Sequence, residues 1–186
     1  MKFYALLAVL LLGGTSFKTQ AESFGIGVAV KSGDTTLLVP YKLGQNYFLE
    51  PYFRYQKHSD DDEFGERENE FFSVGVGFFQ YKITGEAVNL YYGLKAGYSE
   101  RNYTYYYPPD PAIPVSAYIN EEKLNGYELS PTFGISYVIT PKFSIDGELE
   151  WYYQNLDGKI NDNGEISNSK YETQGTNTRI FLRYFF

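Results

Sequence analysis

Apolar and polar residues alternate along most of the chain after residue 23, and the alternation is clearest in the last nine residues, 178–186. Successive side chains of a β-strand point to opposite faces. The two faces of a strand over these residues would carry two sets: Ile180, Leu182, Tyr184 and Phe186 on one, and Arg179, Phe181, Arg183 and Phe185 on the other. The pattern predicts a strand with one apolar face that is complete to the last residue.

The same period-two pattern recurs upstream and identifies eight candidate strands. They cover approximately residues 24–31, 36–43, 48–57, 71–82, 89–103, 127–139, 143–155 and 178–186. Strands that cross a membrane need about 9 to 11 residues. No segment of useful length has the period of an amphipathic helix, so the fold class is predicted to be all-β.

Short and long connections alternate between these strands. Short turns such as Gly44-Gln45-Asn46 and Thr140-Pro141-Lys142 contrast with long polar stretches at residues 58–70, 104–126 and 156–176. Short turns at one rim and long loops at the other are typical of membrane barrels. The exception is the Ser32-Gly33-Asp34 turn, which is short on the long-loop side. The chain is predicted to form an eight-stranded antiparallel up-and-down transmembrane β-barrel.

The amino-terminal residues have the pattern of a secretory signal peptide. Lys2 supplies a positive start, residues 3–12 are apolar, and small and polar residues lead to Ala21. The apolar run is too short to cross a bilayer as a helix. We therefore expect residues 1–21 to be a removed signal peptide and residues 22–186 to be the barrel domain.

Composition narrows the class of protein further. Aromatic residues make up 19% of the chain, with 20 Tyr and 15 Phe, and Tyr is enriched where membrane proteins meet the lipid headgroups. The chain has no Cys, which excludes a disulfide framework and a lipid-modified amino terminus. Its net charge of −7 argues against nucleic-acid binding.

Four segments resemble the small eight-stranded outer-membrane barrels of the OmpA and OmpX type and their short porin-family relatives. They are Phe-Gly-Ile-Gly-Val at 24–28, Tyr-Tyr-Gly-Leu-Lys-Ala-Gly-Tyr at 91–98, Pro-Thr-Phe-Gly-Ile-Ser-Tyr at 131–137 and Ile-Phe-Leu-Arg-Tyr-Phe-Phe at 180–186. The resemblance covers residues 22–186. It implies a protein of the bacterial outer membrane with both termini in the periplasm.

The resemblance also implies partners. These are outer-membrane lipids and lipopolysaccharide, and the barrel-assembly machinery, which would read the terminal row Ile180, Leu182, Tyr184 and Phe186 as its signal. Such barrels serve many functions on one scaffold. The function expected here is non-enzymatic, without a cofactor: envelope structure and contact with a host or surface ligand through the loops. The alternative is a narrow pore for ions or small solutes.

The inward face of the predicted barrel carries charges of both signs. They are Lys42, Glu50, Arg54, Lys95, Glu128, Asp146, Glu148, Glu150, Arg179 and Arg183. A buried charge is tolerated only when it is paired, and the interior of an eight-stranded barrel is just wide enough for side chains to fill. We therefore predict a lumen charge network that plugs the barrel.

Other groups of residues could carry chemistry. His58-Ser59-Asp60 contains the residue types of a hydrolase triad, but adjacent residues at the start of a loop seldom adopt that geometry. The acidic stretch Asp60–Glu70 could bind divalent cations or be a solvated, self-repelling loop. Asp157–Glu165 resembles a calcium loop, but Lys159 stands where an oxygen ligand belongs, which favours a turn. Tyr103, Tyr105, Tyr106 and Tyr107 fit either a contact surface or an aromatic girdle.

Overall fold

The computed structural model describes residues 24–31, 34–62, 65–85, 87–108 and 118–186, so the predicted signal peptide lies outside the described residues. The described chain is built from antiparallel β-strands. They are β1 Gly25–Lys31, β2 Asp34–Leu38, β3 Tyr41–Leu43, β4 Tyr47–Asp62, β5 Gly65–Ile83, β6 Val88–Tyr107, β7 Tyr118–Thr140, β8 Phe143–Asp162 and β9 Glu165–Phe185. The described part of the chain contains no helix long and apolar enough to cross a bilayer.

The sheet closes into a ring of eight strands, which confirms the predicted fold class. Its order is β2-β1-β9-β8-β7-β6-β5-β4-β3, and a further pairing of β2 with β4 closes the ring. The second predicted strand is present as two pieces, β2 and β3, on either side of Val39 and Pro40. Proline has no N–H to donate to a strand ladder, and the Pro40 carbonyl instead accepts a hydrogen bond from the Gly25 N–H at 2.9 Å.

The long strands extend well beyond the predicted ends. Their lengths run from 16 residues in β4 to 23 in β7, and pairing continues to Asp62↔Gly65, Tyr107↔Tyr118 and Asp162↔Glu165. The prediction of loops at 58–70, 104–126 and 156–176 is therefore wrong over most of each stretch. Polar side chains on both faces remove the period-two signal, but the backbone hydrogen bonds of the ladder do not depend on it.

The wall of the barrel turns its apolar side chains outward. Large apolar residues on the outside include Val76, Leu94, Phe133, Leu149 and Ile180, all of which are exposed. Tyrosines stand at both ends of this apolar zone: Tyr55, Tyr98, Tyr127 and Tyr153 toward the long hairpins, and Tyr47, Tyr137 and Tyr184 toward the short turns. The outside thus has the apolar band and aromatic girdles of a barrel that lies in lipid.

Candidate functional site

The lumen of the barrel contains a cluster of buried charged side chains. Even-numbered residues of β2, β4, β7 and β8 and odd-numbered residues of β1, β5, β6 and β9 point inward. The buried charged residues are Asp34, Glu50, Arg54, Lys95, Glu128, Asp146, Glu148, Glu150, Arg179 and Arg183. Burial of a charge is costly unless it is paired and hydrogen-bonded, so the pairing of these groups decides whether the lumen is stable.

Arg183 lies at the centre of the network and is fully buried. Its Nε donates to Glu50 Oε2 at 2.9 Å, and its Nη2 donates to Glu148 Oε1 at 2.7 Å. Its Nη1 donates to Asp146 and to the Tyr91 hydroxyl, the latter at 3.0 Å. Charge-assisted hydrogen bonds of this kind are the strong ones in proteins. One guanidinium therefore joins carboxylates from β4 and β8 to a tyrosine of β6.

A second group of ion pairs forms around Glu150. Lys95 Nζ lies 2.6 Å from Glu150 Oε1 and 2.5 Å from Glu148 Oε2, so it links this group to the first. Arg179 donates to the other oxygen of Glu150 through Nη1. Arg54 lies farther away, with Nη2 3.5 Å from Glu150 Oε2. The predicted lumen residues other than Lys42 thus belong to one connected cluster, which Glu128 completes.

Glu128 is held mainly by neutral donors. The Tyr52 hydroxyl donates to Oε1 at 2.6 Å and the Ser73 hydroxyl at 2.7 Å. Ser99 Oγ and Gln154 Nε2 each donate to Oε2 at 3.0 Å. Four strands contribute these donors, so the carboxylate ties opposite walls of the lumen together. Its nearest cation is Arg54, whose Nη1 lies 3.8 Å from Oε2.

Glycines of the wall make room for the large side chains of the network. A Cβ at Gly134 would collide with the ring and hydroxyl of Tyr91, which donates to Glu148 at 2.8 Å and accepts from Arg183. By contrast, a Cβ at Gly147 on the neighbouring strand would meet nothing within 4 Å.

We expect Gly134→Ala to destabilise the barrel by about 1 to 3 kcal/mol, because the added methyl group would take the space that the Tyr91 side chain occupies. Gly147→Ala is the matched control and should leave stability unchanged or slightly raised. The midpoint of urea unfolding in lipid vesicles measures both. Equal midpoints for the two variants would show that Tyr91 does not need this space.

Aromatic side chains pack together in the lumen on the short-turn side of Arg183. The rings of Phe48 and Phe79 stack at 4.6 Å, and Tyr91 packs edge-on to both. Beyond them lies a cavity of about 490 Å³ that Lys42 and Phe185 help to line. Lys42 Nζ lies 4.2 Å above the Phe185 ring. The structure thus places Lys42 at the end of the lumen and does not bring it to the carboxylates.

The sequence pattern does not identify several members of the cluster. Asp34 is predicted to lie in a turn, but it begins β2, faces the lumen and lies 3.6 Å from Arg179 Nη2. Tyr52, Tyr91 and Ser99 hydrogen-bond to the carboxylates of the cluster although no charge marks them. Their inward position in the period-two pattern is the one signal that could have identified them.

The structure separates the residues of the possible hydrolase triad. His58, Ser59 and Asp60 are consecutive residues of β4 and all three are exposed. Side chains alternate along a strand, so Ser59 projects from the face opposite His58 and Asp60. This arrangement does not place a base beside the hydroxyl, as nucleophilic catalysis requires.

The described residues of the acidic stretch, 60–62 and 65–70, lie at the end of the β4–β5 hairpin. Asp60 pairs with Arg67 across the strands, and Lys57 Nζ lies 3.0 Å from Glu68 and 3.4 Å from Glu70. The hydrogen bond to Glu68 raises the pKa of Lys57. Among the described residues, no three acidic or histidine side chains converge to hold a metal ion.

The other two candidate segments also belong to hairpins. Asn163 and Gly164 form the β8–β9 turn with positive φ angles of 48° and 99°, and the Gly164 N–H donates to Asn161 Oδ1 at 2.9 Å. The turn predicted for 157–165 is thus confined to residues 163 and 164, because 157–162 belong to β8 and Glu165 begins β9. Tyr103, Tyr105, Tyr106 and Tyr107 extend β6 to its end.

Comparison with solved structures identifies several similar barrels. A major outer membrane protein from Thermus thermophilus is 14% identical, with a TM-score of 0.66 over 90% of this chain and 100% of that one. Neisserial surface protein A is 15% identical, with a TM-score of 0.51 over 88% and 93%. CarO2 of Acinetobacter baumannii is 8% identical, with a TM-score of 0.51 over 91% and 100%.

No protein-family model matches the chain, and no curated protein matches it. Because these solved structures are only 8 to 15% identical to the chain, their similarity is evidence for the fold alone. The chain therefore has the fold of the small eight-stranded outer membrane β-barrels.

Proposed function

We propose that this chain is a non-enzymatic integral protein of the bacterial outer membrane that presents long β-hairpins to the outside of the cell. The observation that carries the proposal is strand length. β5 to β9 contain 19 to 23 residues, whereas about 9 to 11 suffice to cross the membrane. Roughly half of each long strand is thus available to project beyond the lipid and contact a host or surface ligand.

The open edges of two strands support a role in contacts. β2 pairs with β4 only as far as Gln56, and β1 pairs with β9 only over residues 182–185. Among the described residues, residues 57–62 of β4 therefore pair with β5 alone, and residues 165–176 of β9 pair with β8 alone. Exposed strand edges are templates for pairing with another chain. They are the part of the hairpins best suited to hold an extended segment of a partner.

The two ends of the barrel support an orientation with both termini in the periplasm. The Phe186 N–H donates to the Phe24 carbonyl at 2.9 Å, and the two rings stack at 5.8 Å, so both lie at the short-turn rim. Membrane barrels place this rim in the periplasm. The outward row Ile180, Leu182, Tyr184 and Phe186 lies at the same end, where the barrel-assembly machinery would read it. Outer-membrane lipids, including lipopolysaccharide, would cover the apolar band.

The hairpin role is tested by replacing residues 159–168 with Asn-Gly, which joins Gly158 to its partner Ser169 through a two-residue turn. The shortened protein should still insert in the outer membrane, because its lumen network is intact. Cell adhesion and serum survival should fall when this and the 58–69 hairpin are shortened together. Unchanged adhesion and survival with a correctly inserted protein would contradict the surface role.

The same purified proteins distinguish the surface role from a pore. The packed network supports a closed lumen, so planar-bilayer recordings should show no large, stable conductance for either protein. A steady conductance from the unaltered chain would favour the narrow pore instead.

A further inference from the structure

A small cavity lies in the lumen on the hairpin side of the charged network. Its volume is about 120 Å³, and its lining includes Arg54, Arg101, Arg179 and Asp34. These residues come from four separate strands, so the cavity is formed by the closed barrel as a whole. A water molecule occupies about 30 Å³ in the liquid. The space therefore suits a small polyatomic group with a few waters.

Three arginines that line this space have unused hydrogen-bond donors. The Nε atoms of Arg54, Arg101 and Arg179 are buried and have no hydrogen-bond partner among the described residues. Arg54 is 7% exposed and Arg179 is 6% exposed. Buried polar groups in proteins are almost always hydrogen-bonded. Asp34 Oδ1 at the same cavity also has no hydrogen-bond partner among the described residues. Three such donors against one acceptor leave an excess of N–H groups, which indicates a missing acceptor.

The charges around the cavity favour an anion. Asp34 is the carboxylate among the lining residues, and it lies 3.6 Å from Arg179 Nη2. Arg54 approaches the carboxylates of the network below only to 3.5 and 3.8 Å. Arg101 makes no ion pair with a described carboxylate; its guanidinium lies over the Tyr171 ring at 4.9 Å and the Phe71 ring at 5.9 Å.

We propose that this cavity, which we call the arginine vestibule, binds a small oxyanion such as a carboxylate or phosphoryl group. The planar guanidinium fork matches both groups geometrically. Gln56 and Gln154 also line the cavity and can donate from their amides. On the side that faces the charged network, the cavity ends at the packed side chains of Glu150, Glu128 and Lys95. The vestibule is independent of the proposed role of the hairpins in adhesion.

The proposal is tested by NMR on the full chain in detergent micelles with ¹⁵N-labelled arginine. Sodium phosphate and sodium acetate are titrated separately at constant ionic strength, with chloride as the balancing anion to remove screening effects. A third titration uses short-chain phosphatidic acid, which carries the phosphoryl group on a lipid. We expect saturable shifts of the Nε–H signals of Arg54, Arg101 and Arg179 with at least one of these probes.

Arg101→Gln is the diagnostic variant because Arg101 lies outside the ion-pair network. It should weaken binding about tenfold, as expected for loss of one charge-assisted interaction. Arg67→Gln is the matched control: Arg67 lies over the Tyr105 ring at 5.3 Å on the β4–β5 hairpin, and its replacement should leave affinity unchanged. Asp34→Asn should strengthen binding, because it removes the negative charge beside Arg179.

The outcomes separate the sources of the oxyanion. Binding of free phosphate or acetate supports a small solute as the ligand, whereas binding of phosphatidic acid alone supports a lipid headgroup. If no probe gives a saturable shift, or if Arg101→Gln and Arg67→Gln weaken binding equally, the arginine vestibule is not an oxyanion site.

Discussion

Arg183→Met is expected to destabilise the barrel by about 3 to 5 kcal/mol, the usual cost of removing one partner from a buried ion pair. The substitution keeps much of the side-chain volume but removes every hydrogen bond that Arg183 donates to Glu50, Asp146 and Glu148. Glu148 keeps its bond from Lys95, which is already shared with Glu150, whereas Glu50 and Asp146 lose their ion pairs with Arg183. The midpoint of urea unfolding in lipid vesicles, followed by heat-modifiable migration in gels, measures the loss.

Arg67→Met is the control for this experiment, because Arg67 is exposed on a hairpin and its replacement should change stability by less than about 0.5 kcal/mol. A double-mutant cycle identifies the cause. Asp146→Asn should cost stability in the unaltered chain but restore part of it in the Arg183→Met background, where one fewer carboxylate lacks a partner. Additive effects of the two substitutions would contradict a direct coupling of Arg183 with Asp146.

Leu149→Arg is expected to destabilise the barrel by about 2 to 4 kcal/mol, as a cation does on the lipid face near the middle of a membrane. Leu149 projects outward from β8 and is 49% exposed. Its Cα partner on β9 is Thr178, well away from both turns. The same unfolding assay in vesicles measures the effect.

Ile166→Arg is the matched control for the lipid face. Ile166 is also apolar and outward, with 66% of its side chain exposed, but it lies at the hairpin end of β9, where we expect water. Its substitution should be tolerated. A loss of stability equal to that of Leu149→Arg would mean that the apolar band extends along the whole hairpin, and no loss in either variant would mean that Leu149 does not face lipid.

The fold was predictable from the sequence because a membrane barrel imposes a strict period of two. Each spanning strand must be apolar toward lipid, while its other face need only pack with the lumen. Rows such as Ile180, Leu182 and Tyr184 therefore reveal strand, facing and class of fold together. Burial in the structure matches the predicted facing along all the spanning segments.

The hairpin extensions escaped prediction because that constraint ends where the lipid ends. In residues 157–176 the side chains on both faces are exposed or half-buried, so they carry no alternation, yet β8 and β9 remain paired through Lys159↔Asn168 to the turn. The place of Asp34 was missed for a related reason. A Ser-Gly-Asp sequence favours a turn, but pairing of Asp34 with Gln56 of β4 recruits it as the first residue of β2.

The lumen shows most clearly which features the sequence determines and which the tertiary structure determines. Alternation along the strands determined which charges point inward, and the register of the β8–β9 hairpin by itself places Arg179 opposite Glu148 and Arg183 opposite Ser144. Contacts of Arg183 with Glu50 of β4 and Tyr91 of β6 cross the lumen between strands that are not neighbours. Such contacts depend on the tilt and stagger with which the sheet closes, which no local pattern encodes. The inward set was therefore decided by the sequence, and its pairing by the tertiary structure.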